Sequence, residues 1–275
     1  MKIAYVAAAV ALLLVIGGFA VSFQPQKPFV KAFYDSAPRD NGTIDAEKLI
    51  RTLSDGNANT YNFLMRRPSD FESLKELLPL AAAKDIDIWV TLIPPSELSP
   101  EQRNDPAYTD YNAWAEKLAK LSLEHENLKA WSIDNVVIDS TFFTPQYLGS
   151  MLGKARDISP KLMFIPVVYY QNVISDGFAE RAKYFDGVQF YYMHFPGGPP
   201  AESDILMTQL QELRKRFGGI VVLGLYATPW SQEFPTSADY VQQLINLARQ
   251  HTDGVMIYTL NPGAEKFEVI RQEFA

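Results

Sequence analysis

The chain has 275 residues, 47% of them hydrophobic and 13% aromatic, a formal net charge of −7 and no cysteine. The missing thiols exclude a disulfide framework, a thiolate nucleophile and a cysteine-ligated metal. An acidic balance with scattered Lys and Arg argues against a nucleic-acid partner.

The first residues, MKIAYVAAAVALLLVIGGFAVSF, carry one early charge, Lys2, and then an apolar run from Ile3 to Val21. A helix of roughly 20 apolar residues spans a bilayer. A short basic start followed by small residues around Gly18, Ala20 and Ser22 also fits a secretory signal. Residues 1–23 are therefore expected to be a signal peptide or a membrane anchor, 24–28 a Pro-bearing linker, and 29–275 the folded domain. Either version exports the domain to the extracellular, periplasmic or cell-surface side, with the membrane a partner only if the segment stays uncleaved.

From there, short apolar runs alternate with amphipathic segments. The predicted strands are 29–35, 59–65, 86–94, 128–137, 161–170, 186–195, 220–230 and 253–262. Between and after them lie helical patterns such as FESLKELLPLAAAK, in which Leu74, Leu77, Leu78 and Ala81 follow the i, i+3, i+4, i+7 spacing of one buried face. Ser69, Thr144 and Ser237 stand where N-caps belong. Eight such strands alternating with eight helices predict a single α/β domain, a (β/α)8 TIM barrel running from near Phe29 to near Leu260 with a last helix to the C-terminus. An open doubly wound sheet is the alternative.

In a barrel of this kind the working groups sit at the C-terminal ends of the strands. Asp35, Asp134, Tyr169, Tyr170, Tyr191, His194, Tyr226, Trp230, Tyr258 and Asn261 fall there, and Asn62 and Gln189 lie within strands two and six. No GxGxxG or GxxxxGK[ST] follows a strand, no GxSxG elbow is present, and His125, His194 and His251 are far apart. No cofactor and no metal are expected, although His194 with Asp35 and Asp134 forms a conceivable ligand set.

Aromatic faces around carboxylates and amides suit sugars, whose C–H faces stack on rings while their hydroxyls need donors and acceptors. The expected ligand is a carbohydrate, and the candidate binding set is Asn62, Asn135, Tyr170, Gln189, Tyr191, His194, Tyr226, Trp230, Tyr258 and Asn261. Trp89, Trp131 and Phe190 are expected to point outward to the helices by strand alternation. Alternation sends Ser132 and Asp134 inward, which makes Asp134 the central candidate for the carboxyl pair that glycoside cleavage uses. Asp139 and Asp35 are the other catalytic candidates, with Glu97 and Glu233 as loop acids. The expected function is an exported glycoside-hydrolase-like barrel acting on a polysaccharide or cell-envelope glycan. A lectin-like barrel that binds glycans without cutting them, or a scaffold with no ligand site, would share the pattern.

The segment IVVLGLYATPW resembles strand seven of family 18 glycoside hydrolases, the chitinase-like barrels, and DGVMIYTL resembles their last strand, with Tyr258 where that family commonly has a Trp. The resemblance implies a TIM barrel with a sugar site at its mouth. Strand four departs from that family's DxxDxDxE: with Asp134 as the middle acid, the last Asp and the Glu would fall at Val136 and Ile138, so the chitinase mechanism is not implied. AWSIDN is similar to a W-x-I-D-D strand of other glycosidase-like barrels, with Asn135 in place of one acid.

Overall fold

The computed structural model describes residues 28–192, 199–227, 237–259 and 262–275. The predicted N-terminal signal or anchor lies outside the described residues, and no helix among those described is long and apolar enough to cross a membrane.

Strand β1 (Val30–Asp35) leads into a hairpin, β2 (Arg39–Asp40) and β3 (Thr43–Ile44), and then α1 (Ala46–Asp55). The hairpin turns on Asn41 and Gly42, with φ of 48° and 85°, the left-handed pair that a two-residue turn demands. Next come β4 (Thr60–Met65), α2 (Asp70–Ala82), β5 (Asp87–Leu92), the short α3 (Pro100–Arg103) and α4 (Pro106–Thr109), and α5 (Tyr111–Glu124). After β6 (Leu128–Ile133) and α6 (Pro145–Ile158), the fifth predicted strand is split into β7 (Met163–Phe164) and β8 (Val167–Val168). The rest runs α7 (Tyr170–Val173), α8 (Phe178–Ala182), β9 (Gly187–Tyr191), α9 (Pro199–Arg216), β10 (Ile220–Tyr226), α10 (Ala238–His251), β11 (Gly254–Tyr258) and α11 (Glu265–Phe274).

Nine strands pair in the order β7-β6-β5-β4-β1-β11-β10-β9-β8, and each pair is parallel. The two ends of that order are neighbours in the chain, so the curled sheet meets itself across residues 164–167. Ile165 N donates to Trp131 O on one side, and Gln189 N donates to Pro166 O on the other, each at 2.9 Å. The fold is α/β and TIM-like, and the open doubly wound alternative is not formed. Strand five breaks at Pro166 because proline has no N–H to give the ladder.

Packing divides into two cores. The outer one joins sheet to helices: Phe33, for example, meets Phe267 and Phe274 of α11 at 5.9 and 5.6 Å between ring centroids. Leu74, Leu77, Leu78 and Ala81 of α2 are fully buried in it, as their spacing predicts. The inner one fills the barrel with Ala32, Trp89, Ala130, Ile165, Val222 and Met256 below, and Tyr34, Leu64, Val167 and Tyr191 above. Trp131 and Phe190 face outward as expected, but Trp89 does not. Its strand register sets it beside Asn62 and Ala130, both inward positions, and the small Ala32 and Ala130 leave room for the indole inside.

Two of the three expected N-caps form: Thr144 accepts from Tyr147 N at 3.2 Å and Ser237 from Tyr240 N at 3.1 Å. Ser69 makes no such bond, since its backbone is already helical at φ −67°, ψ −20° rather than extended. Its neighbour Asp70, 2% exposed, takes over that corner. The Asp70 carboxylate accepts from Arg66 N and Arg67 N at 3.0 and 3.2 Å, and pairs with the Arg39 guanidinium at 2.8 and 2.9 Å. The base of the hairpin is thereby tied to the loop that follows β4.

Candidate functional site

At the C-terminal ends of the strands lies a cavity of about 290 Å³. Its wall carries five tyrosines from different strand ends: Tyr34 in β1, Tyr169 after β8, Tyr191 in β9, Tyr226 in β10 and Tyr258 in β11. Neighbouring rings touch in a chain, with centroids 5.5 Å apart for Tyr34–Tyr258, 5.7 Å for Tyr226–Tyr258, 5.5 Å for Tyr191–Tyr226 and 6.3 Å for Tyr169–Tyr191. The Tyr169 and Tyr226 hydroxyls are 3.2 Å apart. Burial raises all five phenols, that of Tyr226 to about 12, so they stay neutral and able to donate. Gly224 makes this arrangement fit: a Cβ there would lie 2.5 Å from the Tyr191 ring.

Asp134 stands in this wall. Its N–H donates to Leu92 O at 3.2 Å, which carries the β6 ladder one residue further, and Asn135 then turns the chain at φ 49°. Asparagine tolerates that left-handed conformation better than most residues. The Asp134 side chain is mostly buried. Its Oδ2 accepts from the Tyr34 hydroxyl at 3.4 Å, while Oδ1 has no hydrogen-bond partner among the described residues. Burial pushes its pKa up to about 7, and the negative charge of Glu97 adds to the rise; bonds from Tyr34 and the Asn135 backbone pull the other way. An acid of this kind holds its proton near neutrality.

Glu97 closes a short 3₁₀ turn, Pro95–Glu97, after β5. Its side chain is exposed at the rim, yet the cavity wall strips enough water from the carboxyl to raise its pKa. A hydrogen bond from the Asn135 side chain opposes that rise, Asp139 adds to it and Arg66 offsets it. Asp139 anchors the turn directly, accepting from Ser96 N at 3.2 Å and Ser96 Oγ at 2.7 Å. The loop after β6 is held from below by Arg181, 8% exposed, which donates to the carbonyls of Ser140, Phe143 and Gly177 at 2.9 to 3.0 Å.

Of the residues expected at the site, Asp134, Tyr191, Tyr226 and Tyr258 line the cavity together. Asp35 and Asp139 do not. Asp35 follows the inward-facing Tyr34 and so has the outward parity, although it lies close enough to Tyr258 to raise that phenol's pKa. Asn62 and Gln189 face inward but sit a layer too deep. Both are fully buried, with Asn62 Nδ2 donating to Gln189 Oε1 at 2.9 Å, Thr91 Oγ1 to Asn62 Oδ1 at 2.8 Å, and Gln189 Nε2 to Ile165 O at 2.9 Å. Tyr170 begins α7 and packs against the outer core, whereas its neighbour Tyr169 reaches the cavity. Asn135 acts through Glu97 rather than on the wall. His194, Trp230, Asn261 and Glu233 lie outside the described residues.

Besides the aliphatic Leu64, Ile93 and Val167, three wall residues are absent from the predicted binding set and the candidate acids: Tyr34, Tyr169 and Arg66. For Tyr34 and Tyr169 the signal was present, since the alternation that points Ala32 and Val167 inward includes them. Arg66 had none, because an Arg after a strand is ordinarily a solvated residue. Val136 is fully buried and Ile138 is 57% exposed, and neither lines the cavity, so those two positions supply no acid to it.

A parallel curled sheet wrapped by helices, with a carboxyl and a ring of aromatics at the C-terminal ends of its strands, defines a TIM-like barrel with a pocket at its mouth. No family model and no curated protein matches the sequence. Among solved structures the chain is similar to a GH113 β-1,4-mannanase, with a TM-score of 0.65 and 11% identity over 90% of this chain and 99% of that one. It is also similar to the GH18 chitinase ChiB of Flavobacterium johnsoniae, with a TM-score of 0.58 and 14% identity over 90% and 94%. A β-glucuronidase from an uncultured Clostridium sp. matches with a TM-score of 0.61 and 14% identity over 90% of this chain and 50% of that one. The chain thus spans about half the length of that enzyme. Identities this low describe a shared fold.

Proposed function

We propose that this protein is a barrel that acts on a carbohydrate, a polysaccharide or cell-envelope glycan met outside the cytoplasm, with Asp134 as the central proton-transferring acid. The observation that carries the reading is one protonatable carboxyl, Asp134, set beside a second, Glu97, in a single tyrosine-walled cavity at the barrel mouth. Fold neighbours whose names specify a mannanase, a chitinase and a glucuronidase support a sugar ligand.

The chemistry follows from the two environments. Asp134, kept neutral by burial, donates its proton to the glycosidic oxygen as the bond to the anomeric carbon breaks. Glu97, nearer solvent, holds the negative charge that favours the developing oxocarbenium ion or draws a proton from attacking water. Tyrosine faces stack on the ring and their hydroxyls meet the sugar hydroxyls. Asp139 and Asn135 position Glu97, Asp35 lies behind Tyr258, and His194, Trp230 and Asn261 are proposed on sequence grounds to extend the rim.

A lectin-like barrel is the second reading, favoured by the absence of Asp35 and Asp139 from the wall. A glycan array followed by product analysis separates the two. Under the catalytic reading, Asp134→Asn stops turnover and leaves binding near the parent's. If the parent binds glycans but releases no product from any of them, the lectin reading replaces it. The export proposal is tested by cell fractionation, and full-length protein recovered in the cytoplasm would refute it.

A further inference from the structure

Resting on the carbohydrate reading, we infer that the cavity recognises a sugar bearing a free, protonated amine, so that its glycan contains amino sugars without their N-acyl groups.

The described wall leans acidic. Glu97 and Asp134 stand on it, Glu97 as the charged carboxylate and Asp134 as a second acceptor that can give up its proton, and Asp139 adjoins Glu97. Among the described wall residues one is a cation, Arg66, at the exposed rim, with its Nε donating to Ser36 Oγ at 2.6 Å. Neither Glu97 nor Asp134 forms an ion pair among the described residues. The donor of the hydrogen bond to the Glu97 side chain is the neutral Asn135 amide.

The aromatic lining points the same way. Five tyrosine rings surround the cavity, and ring faces attract cations through their quadrupoles, the basis of aromatic cages for ammonium groups. Hydrogen-bond capacity is also unused there. Asp134 Oδ1 and the hydroxyl of Tyr191, a residue 3% exposed, have no partners among the described residues. An ammonium brings three donors and a charge to such a site. An N-acetyl group brings one donor together with a carbonyl oxygen that would face the Glu97 carboxylate, and a uronate would bring a charge like that of Glu97.

At about 290 Å³ the cavity is near the roughly 300 Å³ lower end of ligand pockets, which suits monosaccharide probes. The test is an NMR titration of the whole protein at neutral pH with D-glucosamine, N-acetyl-D-glucosamine, D-glucose and D-glucuronate, and with the same four forms of galactose. The amine is expected to bind about tenfold tighter than its acetylated and hydroxyl counterparts. Added salt and Glu97→Gln should each remove that advantage, and an unchanged unfolding midpoint of the variant shows that its fold is intact. Neutral or acetylated sugars that match the amine, or a uronate that binds best, would overturn the inference and leave the carbohydrate reading standing. If no sugar of either series binds the parent, the carbohydrate reading itself fails and the inference with it.

Discussion

Replacing Asp134 by Asn should make the protein more stable at neutral pH while removing its proposed activity. The folded-state pKa of this carboxyl is about 7, against an ordinary 3.8. Between those values the folded chain keeps a proton that the unfolded chain releases. Stability therefore falls as pH rises through that window and levels off above it. Each pH unit is worth about 1.4 kcal/mol, so the full interval amounts to about 4 kcal/mol as a ceiling. Water reaching the cavity reduces this, and about 2 kcal/mol is the working figure. Asparagine keeps the shape and can still accept from the Tyr34 hydroxyl, but it does not titrate. Urea unfolding of parent and variant at several pH values from 4 to 8 isolates the effect, since the other acids titrate alike in both proteins and cancel in the difference. The variant should gain about 2 kcal/mol on the parent between the acid and neutral ends of the series. Stability curves that stay parallel across that range would refute a desolvated, proton-holding Asp134, and with it the reason for assigning it an acid's role.

Three further outcomes follow from the same geometry. Glu97→Gln removes the negative charge that helps hold the proton on Asp134, so the alkaline limb of the pH–rate profile should move to lower pH; a limb that stays in place would mean the two carboxyls do not communicate. Gly224→Ala places a Cβ 2.5 Å from the Tyr191 ring and should cost about 1–3 kcal/mol while weakening sugar binding, because the ring that must shift is part of the cavity wall. Wild-type affinity in that variant would show that Tyr191 is not a wall of the site. Asn62→Leu strips partners from Gln189 and Thr91 in the barrel interior and should cost about 2–3 kcal/mol in denaturant unfolding. Its sugar affinity should match the parent's, and a lost affinity at full stability would return Asn62 to the binding set.

The local code carried much of this architecture. Period-two alternation in VKAFYD and KAWSID and the 3.6-residue spacing of Leu74, Leu77 and Leu78 announce strands and helices without any knowledge of their partners, because burial on one face is a property of a single element. The inward parity of Asp134 was legible for the same reason. So was a hairpin signal in Asp40-Asn41-Gly42-Thr43, which the reading of longer periodic segments passed over.

Depth and adjacency were decided elsewhere. Asn62, Gln189 and Tyr34 share the inward parity, yet only Tyr34 reaches the cavity, since the stagger between neighbouring strands sets which layer an inward residue occupies, and stagger is a relation between strands. Trp89 was misplaced on the same ground: its facing depends on register with Asn62 and Ala130, and on the space that Ala32 and Ala130 leave. Glu97 lies 37 positions before Asp134 in sequence and becomes its neighbour only when Asp139 binds Ser96 and Asn135 reaches across. An isolated carboxyl in water has no reason to hold a proton near neutrality. Asp134 acquires one because five strands deliver tyrosines around it and a loop from a sixth delivers a second negative charge, and both desolvation and Coulomb repulsion exist only once those groups have been brought together.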